Sequence, residues 1–354
     1  KKKLIFDLSQ IIACLCYYYI RSVAKPFDVA RLSEEEKVEL RKAEPAIIAN
    51  LTAHSPYRLG RFCDSGGDCF AVEQRYWMDR SRLHAQRLIT YENNRKMSLT
   101  IATLKTPEMI TPHHLVHERW PVDTTILTFW YNLIQCTAGF ALEGLSFARS
   151  DSHAAKQRVL QIGMGGGSAT TYMRTMPVEL HIDVIELEPA VYDAAKRWFD
   201  FPNDDPNVTV HIMDGVVFVK EAAARGVTYD SLMLDASSNA PNASIVAPHE
   251  AFLKEDVLAA MSKVIGSTGV FSVNLFMPND QERLQAQVIR QFEAHFRSCS
   301  ALKILTEGQK FLMCTNRVGF GWSTQRPRMM KNLKEFDERM GTAVVPYLDR
   351  LNPV

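Results

Sequence analysis

The feature that most constrains the fold is an alternation beginning near residue 157. Five short, mostly apolar runs, at 159–162, 182–185, 208–212, 231–234 and 270–275, are separated by longer segments of helical composition. A strand covered on both faces needs an apolar side chain at almost every position, and parallel neighbours must be joined by crossovers, usually helices. The alternation therefore predicts a parallel sheet with helices on both faces. The last two runs, 301–306 and 310–315, flank only the turn Glu307-Gly308-Gln309. They predict an antiparallel hairpin that makes the sheet mixed. The expected class is α/β: a Rossmann-like, doubly wound sheet, mostly parallel with a C-terminal antiparallel hairpin, preceded by a smaller helical and β-rich N-terminal region.

Before that region the patterning is weaker. Residues 30–50 are charge-rich with helical spacing, opened by Ser33 as N-cap and Glu34, Glu35 and Glu36 in the first turn, and interrupted by Pro45. Short β-type runs between 58 and 105 predict a small antiparallel sheet. Residues 124–147 are apolar on more than one face and predict a buried helix, and a final helical stretch over about 329–351 is expected on the outside or against a partner. The expected division is an apolar N-terminal helix over 1–25, a helical and β region over 26–150, a ligand-binding domain over 151–320 and a helical extension over 321–354.

At 354 residues with 46% apolar side chains, the chain has material for a large core. Its 41 Lys and Arg against 40 Asp and Glu give no broad positive field, so nucleic-acid binding is not favoured. Seven cysteines lie scattered at 14, 16, 63, 69, 136, 299 and 314 without zinc-ligand spacing. They are expected to be buried thiols, except that Cys63 and Cys69 bracket the turn-like Asp64-Ser-Gly-Gly-Asp68 and would bridge in an oxidising compartment. Lys1-Lys2-Lys3 precedes an apolar stretch at 4–20 broken by Asp7, Ser9 and Gln10. That stretch falls short of the roughly 20 apolar residues a spanning helix needs. A docked helix in a cytoplasmic protein is expected, the alternative being a membrane-anchored or lumenal protein, in which the sequons at Asn50, Asn207 and Asn242 would matter.

The chemistry concentrates after the first strand of the alternation. Gly163-Met164-Gly165-Gly166-Gly167-Ser168 follows that strand and opens a helix, the context in which glycines allow a tight turn and close approach of a ligand to main-chain N–H groups. Glu186 ends the second strand, 23 positions after Gly163, near the spacing of an acid that accepts from ribose hydroxyls. Asp214-Gly215 ends the third strand, where Asp214 is placed for an adenine amino group, and Asp235 ends the fourth, facing the transferable group. Each acid has a plain alternative: a solvated strand end for Glu186 and a helix cap for Asp214 or Asp235. His113, His114 and His117 lack an acid or cysteine at ligand spacing, so capping or surface roles are expected and no metal. Trp77, Trp120, Phe129, Trp130 and Tyr131 are expected in the core. There is no GxSxG element, and the loop lacks the Lys-Ser/Thr end of a P-loop.

Through IGMGGGS, VIELEPAVYDAAKRWF, HIMDG and LMLDASSNAP, residues 159–316 resemble the spermidine synthase superfamily of class I S-adenosylmethionine-fold transferases. They are most similar to the spermidine-synthase-like domain of the eukaryotic elongation-factor N-terminal methyltransferases. The resemblance implies S-adenosylmethionine as methyl-donor cosubstrate, with nucleoside contacts from Gly163 to Gly167, Glu186, Asp214 and Gly215. Two departures from the true synthases bear on activity. Gly166 stands where their loop carries an acid for the donor's amine, and of their two acids around a serine pair only Asp235 remains in Asp235-Ala-Ser-Ser-Asn239. A protonated diamine would lack part of its counter-charge. The expected function is therefore methyl transfer to a protein or small amine, with Asp235 as catalytic residue. The alternatives are a polyamine aminopropyltransferase, an inactive nucleoside-binding or interaction protein and, as a minor option, a nicotinamide dehydrogenase. Family analogy adds a homodimer through the N-terminal sheet or the last helix.

Overall fold

The structure is a computed structural model that describes residues 29–94, 97–117, 120–148, 156–238, 240, 243–278, 281–303 and 308–348. The apolar segment 4–20, the sequon at Asn242, Asn239 and Glu307 lie outside the described residues. The chain divides into two compact units, one reaching Asp123 without Asp64–Gly66, the other running from Thr124 and including Asp64–Gly66.

In the first unit, helix α1 (Glu34–Ala53) opens with a capping box: Ser33 Oγ accepts from Glu36 N at 3.2 Å, and the Glu36 carboxylate accepts from Ser33 N at 2.9 Å. The expected break at Pro45 does not occur, and the helix continues through it to Ala53. Its buried residues, Leu40, Ile47 and Leu51, form one stripe. Strands β1 (Tyr57–Cys63), β2 (Cys69–Asp79), β3 (Arg82–Tyr91) and β4 (Ser98–Thr103) make an antiparallel meander in sequence order. Arg87 is buried there, donating to Gln74 Oε1 and to the carbonyls of His117 and Trp120.

The second unit starts with α2 (Trp130–Ala141), shorter than the helix expected over 124–147, and buried throughout from Leu133 to Ala141. There follow β5 (Gln157–Ile162), α3 (Ser168–Met173), β6 (Leu180–Glu186), α4 (Pro189–Trp198), β7 (Val208–Ile212), α5 (Gly215–Ala224) and β8 (Ser231–Leu234). After α6 (Glu255–Val264), β9 (Val270–Phe276) and α7 (Glu282–Glu293) comes the hairpin β10 (Ser298–Lys303) and β11 (Gln309–Thr315). The sheet order is β10-β11-β9-β8-β5-β6-β7, parallel from β9 to β7 and antiparallel at β11 and β10. All five runs thus fall where the patterning places them, and so does the second strand of the hairpin, whereas its first strand starts three residues earlier than expected, at Ser298.

Alternate residues of each strand feed two cores. Val159, Ile182, Val184 and Met233 pack with α2, α3 and α8, and Leu160, Ile162, Ile185, Leu232 and Leu234 pack with α5, α6 and α7. The C-terminal stretch departs from expectation. Helix α8 (Trp322–Met340) begins before 329, runs through Pro327 and buries Trp322, Met329, Leu333 and Phe336 in the first of these cores, followed by α9 (Val344–Leu348). Its apolar stripe is satisfied within the chain, which removes the reason to assign it to a partner.

Two further corrections concern cysteines and membranes. Cys63 and Cys69 face each other across β1 and β2 and form a disulfide, and so do Cys299 and Cys314 across β10 and β11, where thiols were expected. The second pair is brought opposite by hairpin register, which spacing alone does not reveal. Among the described residues no helix is long and apolar enough to cross a membrane. The membrane-anchored alternative is therefore unsupported by the described residues, and the segment 4–20 on which it rests lies outside them.

Candidate functional site

The chain order reverses at β5, which pairs with β6 on one side and β8 on the other. Loops leaving the carboxyl ends of such strands diverge and open a crevice. Register sets its lining: Ile162 pairs with Ile185 and with Leu234, and Glu186 with Ile212. The next residues along these strands, Gly163, Glu186, Asp214 and Asp235, therefore come to one edge of the sheet.

The glycine loop is locked to its neighbours. Gly163 has φ +86°, and a Cβ there would lie 2.2 Å from the carbonyl oxygen of Asp235. Its N–H donates to Ile185 O at 2.9 Å, while Asp235 N–H donates to Ile162 O at 2.8 Å, so loop and acid are seated on the same strand end. Gly167 has φ +76°, and a Cβ there would meet the Phe201 ring at 2.3 Å. Its N–H donates to Met164 O at 2.9 Å, closing the turn that holds Gly165 and the buried Gly166. Gln161, a polar residue inside an apolar strand, braces this turn, donating to Gly163 O at 2.9 Å and accepting from Thr170 Oγ1 at 2.7 Å. Sequence reading passed over Gln161, although a glutamine in an otherwise buried run is the signal that could have found it.

Glu186 is only 8% exposed. Its carboxylate accepts from Met164 N–H at 3.1 Å and from Glu188 N–H at 2.9 Å, tying loop to strand. Burial raises its pKa, with the donated main-chain hydrogen bonds working against that rise. Asp214 is exposed, and its Oδ1 accepts from Val216 N–H at 2.7 Å as the N-cap of α5, the alternative role foreseen for it. Gly215 follows as the first residue of α5, where a Cβ would meet Ile162 Cγ2 at 2.6 Å.

Asp235 is the electrostatically unusual member. Burial pushes its pKa up to about 6, and the hydroxyl of Tyr131, donating to Oδ2 at 3.4 Å, partly offsets this. Tyr131 is the second residue of α2, so its assignment to the core misses its hydroxyl. Of the aromatic group, Trp120 is buried, whereas Trp77 and Trp130 are largely exposed. The histidines have structural partners: His114 Nδ1 accepts from Thr111 N–H at 2.9 Å, and His117 Nδ1 lies 2.8 Å from Tyr76 Oη. Burial brings His114 down to about 4, so it stays neutral near pH 7. Among the described residues no group of three or more His, Cys, Asp or Glu is placed to hold a metal.

Known proteins extend this picture. The spermine/spermidine synthase domain matches residues 146–314. The chain is similar to the eEF1A lysine and N-terminal methyltransferase of Xenopus laevis, with 32% identity over 157 residues, 44% of this chain and 22% of that protein. It is also similar to the polyamine aminopropyltransferase of Vibrio vulnificus (strain CMCP6), with 26% identity covering 70% of this chain and 84% of that one. The chain thus spans less than a quarter of the Xenopus relative and most of the bacterial one. The crystal structure of human methyltransferase-like protein 13 in complex with SAH superposes with a TM-score of 0.53 at 23% identity, over 60% of this chain and 92% of that one. None of these observations supports a homodimer or membrane association. Residues 146–314 of this chain thus match the spermine/spermidine synthase domain, and the second unit shares the fold of that methyltransferase structure.

Proposed function

We propose that the chain is an S-adenosylmethionine-dependent methyltransferase of the spermidine-synthase-like type, acting on an amine, with a protein amine as the favoured acceptor. The observation that carries this reading is the seating of the glycine loop on Asp235, which puts a glycine-rich turn and a carboxyl group of raised pKa on one strand end. The residues fit the cosubstrate. A carboxylate has about four acceptor sites, so Glu186 retains capacity for ribose hydroxyls beyond its two main-chain hydrogen bonds. Leu187 beside it is 60% exposed and offers an apolar face to an adenine ring. Gly163, Met164, Gly165, Gly166 and Gly167 then hold the donor's chain, and Asp214 with Gly215 the far end of the base.

The bound cosubstrate supplies a methyl group already activated on a sulfonium. The protein has to align the acceptor and deal with its proton. As the carbon–sulfur bond breaks, the acceptor nitrogen's lone pair takes the methyl, and one N–H proton passes to the ionised Asp235. A carboxyl group titrating near pH 6 is ionised at neutrality yet more basic than an ordinary aspartate, and Tyr131 steadies its charge. The relatives that methylate eEF1A motivate a protein acceptor. The coverage of the bacterial relative motivates aminopropyl transfer as the second reading, against which Gly166 removes the acid that would meet the donor's amine.

Calorimetric titration with S-adenosylmethionine, decarboxylated S-adenosylmethionine and S-adenosylhomocysteine tests this, repeated on Glu186→Ala. We expect preference for the carboxylated donor and at least about a tenfold loss in the variant, the scale of charge-assisted hydrogen bonds removed from a buried site. Preference for the decarboxylated donor would overturn methyl transfer in favour of the second reading.

A further inference from the structure

We propose that Gln135 forms an acceptor subsite beside Asp235 that selects an amino group still carrying its N–H bonds. The inference rests on the methyl-transfer reading above and names what the acceptor must present. Gln135 is 1% exposed, in the middle of α2. Its Nε2 donates to Leu234 O at 3.0 Å and to Ser272 O at 3.3 Å, anchoring the amide at the end of β8, one residue before Asp235. The two ends of a glutamine amide are ordinarily hard to tell apart. Here the chemistry decides, because a flipped amide would set its oxygen against two carbonyl oxygens and lose both hydrogen bonds. The orientation of Oε1 is thus fixed, and Oε1 is buried without a hydrogen-bond partner among the described residues.

A buried acceptor left unpaired is costly, and native proteins seldom keep one without use for it. Its surroundings say what it takes. Tyr131, which donates to the Asp235 carboxylate, stands four residues before Gln135 and so on the same face of α2. The strand end therefore gathers the Asp235 carboxylate and the amide of Gln135, whose oxygen is an acceptor, with one hydroxyl donor already directed at the carboxylate. A primary ammonium has three N–H bonds to distribute among such acceptors, whereas a quaternary nitrogen has none. A site built this way favours an unmethylated acceptor and releases a fully methylated product.

The test uses the full chain saturated with S-adenosylhomocysteine at pH 8, titrated calorimetrically with n-butylammonium and with n-butyltrimethylammonium. We expect the primary ammonium to bind about tenfold more tightly, the scale of a hydrogen bond to a charged group. Gln135→Met, which keeps the side chain's length without its acceptor, should clearly reduce this preference while affinity for S-adenosylhomocysteine stays unchanged. Equal affinities in the wild type, or a preference undiminished in Gln135→Met, would overturn the subsite. Failure of the wild type to bind S-adenosylhomocysteine would instead overturn the methyl-transfer reading, and the same amine titrations without it would still decide on the subsite.

Discussion

At the scale of single residues, the proposed chemistry depends on where Asp235 titrates. Burial lifts it to about 6 and Tyr131 holds it down, so removing the tyrosine hydroxyl leaves the lift less opposed. With Asp235 acting as base, kcat/KM should rise with pH through about 6 and then level off. In Tyr131→Phe that limb should move to higher pH, and Asp235→Asn should lose the limb together with most of the activity, on the order of 100-fold or more. A limb left in place in Tyr131→Phe would separate the two residues functionally. Glycine spacing, the acid 23 positions on and the strand-end aspartates were legible because each is a local pattern on one strand or turn. Tyr131 and Gln135 were not, because their partners lie about 100 residues away and only packing of α2 on β8 brings them together.

At the scale of elements, most of the second unit could be read from burial periodicity, since strands covered on both faces leave an unmistakable apolar run. Helices were harder to bound. Pro45 and Pro327 both lie inside continuing helices, where buried stripes of Leu40, Ile47 and Leu51, and of Met329, Leu333 and Phe336, outweigh the lost hydrogen bond. The Cys299–Cys314 pair shows the same limit, because a disulfide depends on hairpin register rather than on spacing. It closes a 15-residue loop between the edge strand β10 and its neighbour β11. Loop-closure entropy assigns such a link about 3 kcal/mol. Cys299→Ser combined with Cys314→Ser should lower the denaturant midpoint correspondingly without changing S-adenosylhomocysteine affinity, since both sites lie on strands remote from β5 and β6 in the sheet order.

At the scale of the whole molecule, stability in acid should pass through Asp183, a buried carboxylate on β6. It accepts from Tyr229 Oη at 2.8 Å, pairs with Arg158 at 3.2 Å, and lies 3.0 Å from His211 Nε2. Burial by itself would raise its pKa, but the hydrogen bonds of His211 and Tyr229, with the nearby His181, outweigh that and hold it below the ordinary aspartate value. A depressed folded-state pKa contributes stability above the unfolded value, about 4, and that contribution is lost as pH falls through the folded one. Asp183→Asn should therefore flatten the acid limb of stability measured by chemical denaturation below about pH 4. An unchanged limb would move the acid sensitivity elsewhere. The whole-chain reading of this network was closed to sequence inspection, because it joins Arg158 on β5, Asp183 on β6, His211 on β7 and Tyr229 before β8, residues far apart in the chain. Cys136 draws these scales together. It is the free cysteine among the described residues, enclosed on the buried side of α2, with its thiol held protonated by burial and by the charge of Asp235. A protonated, enclosed thiol cannot be alkylated until the core opens. The rate at which Cys136 takes up label is thus a built-in clock for opening of the core beneath α2, readable one peptide at a time by mass spectrometry.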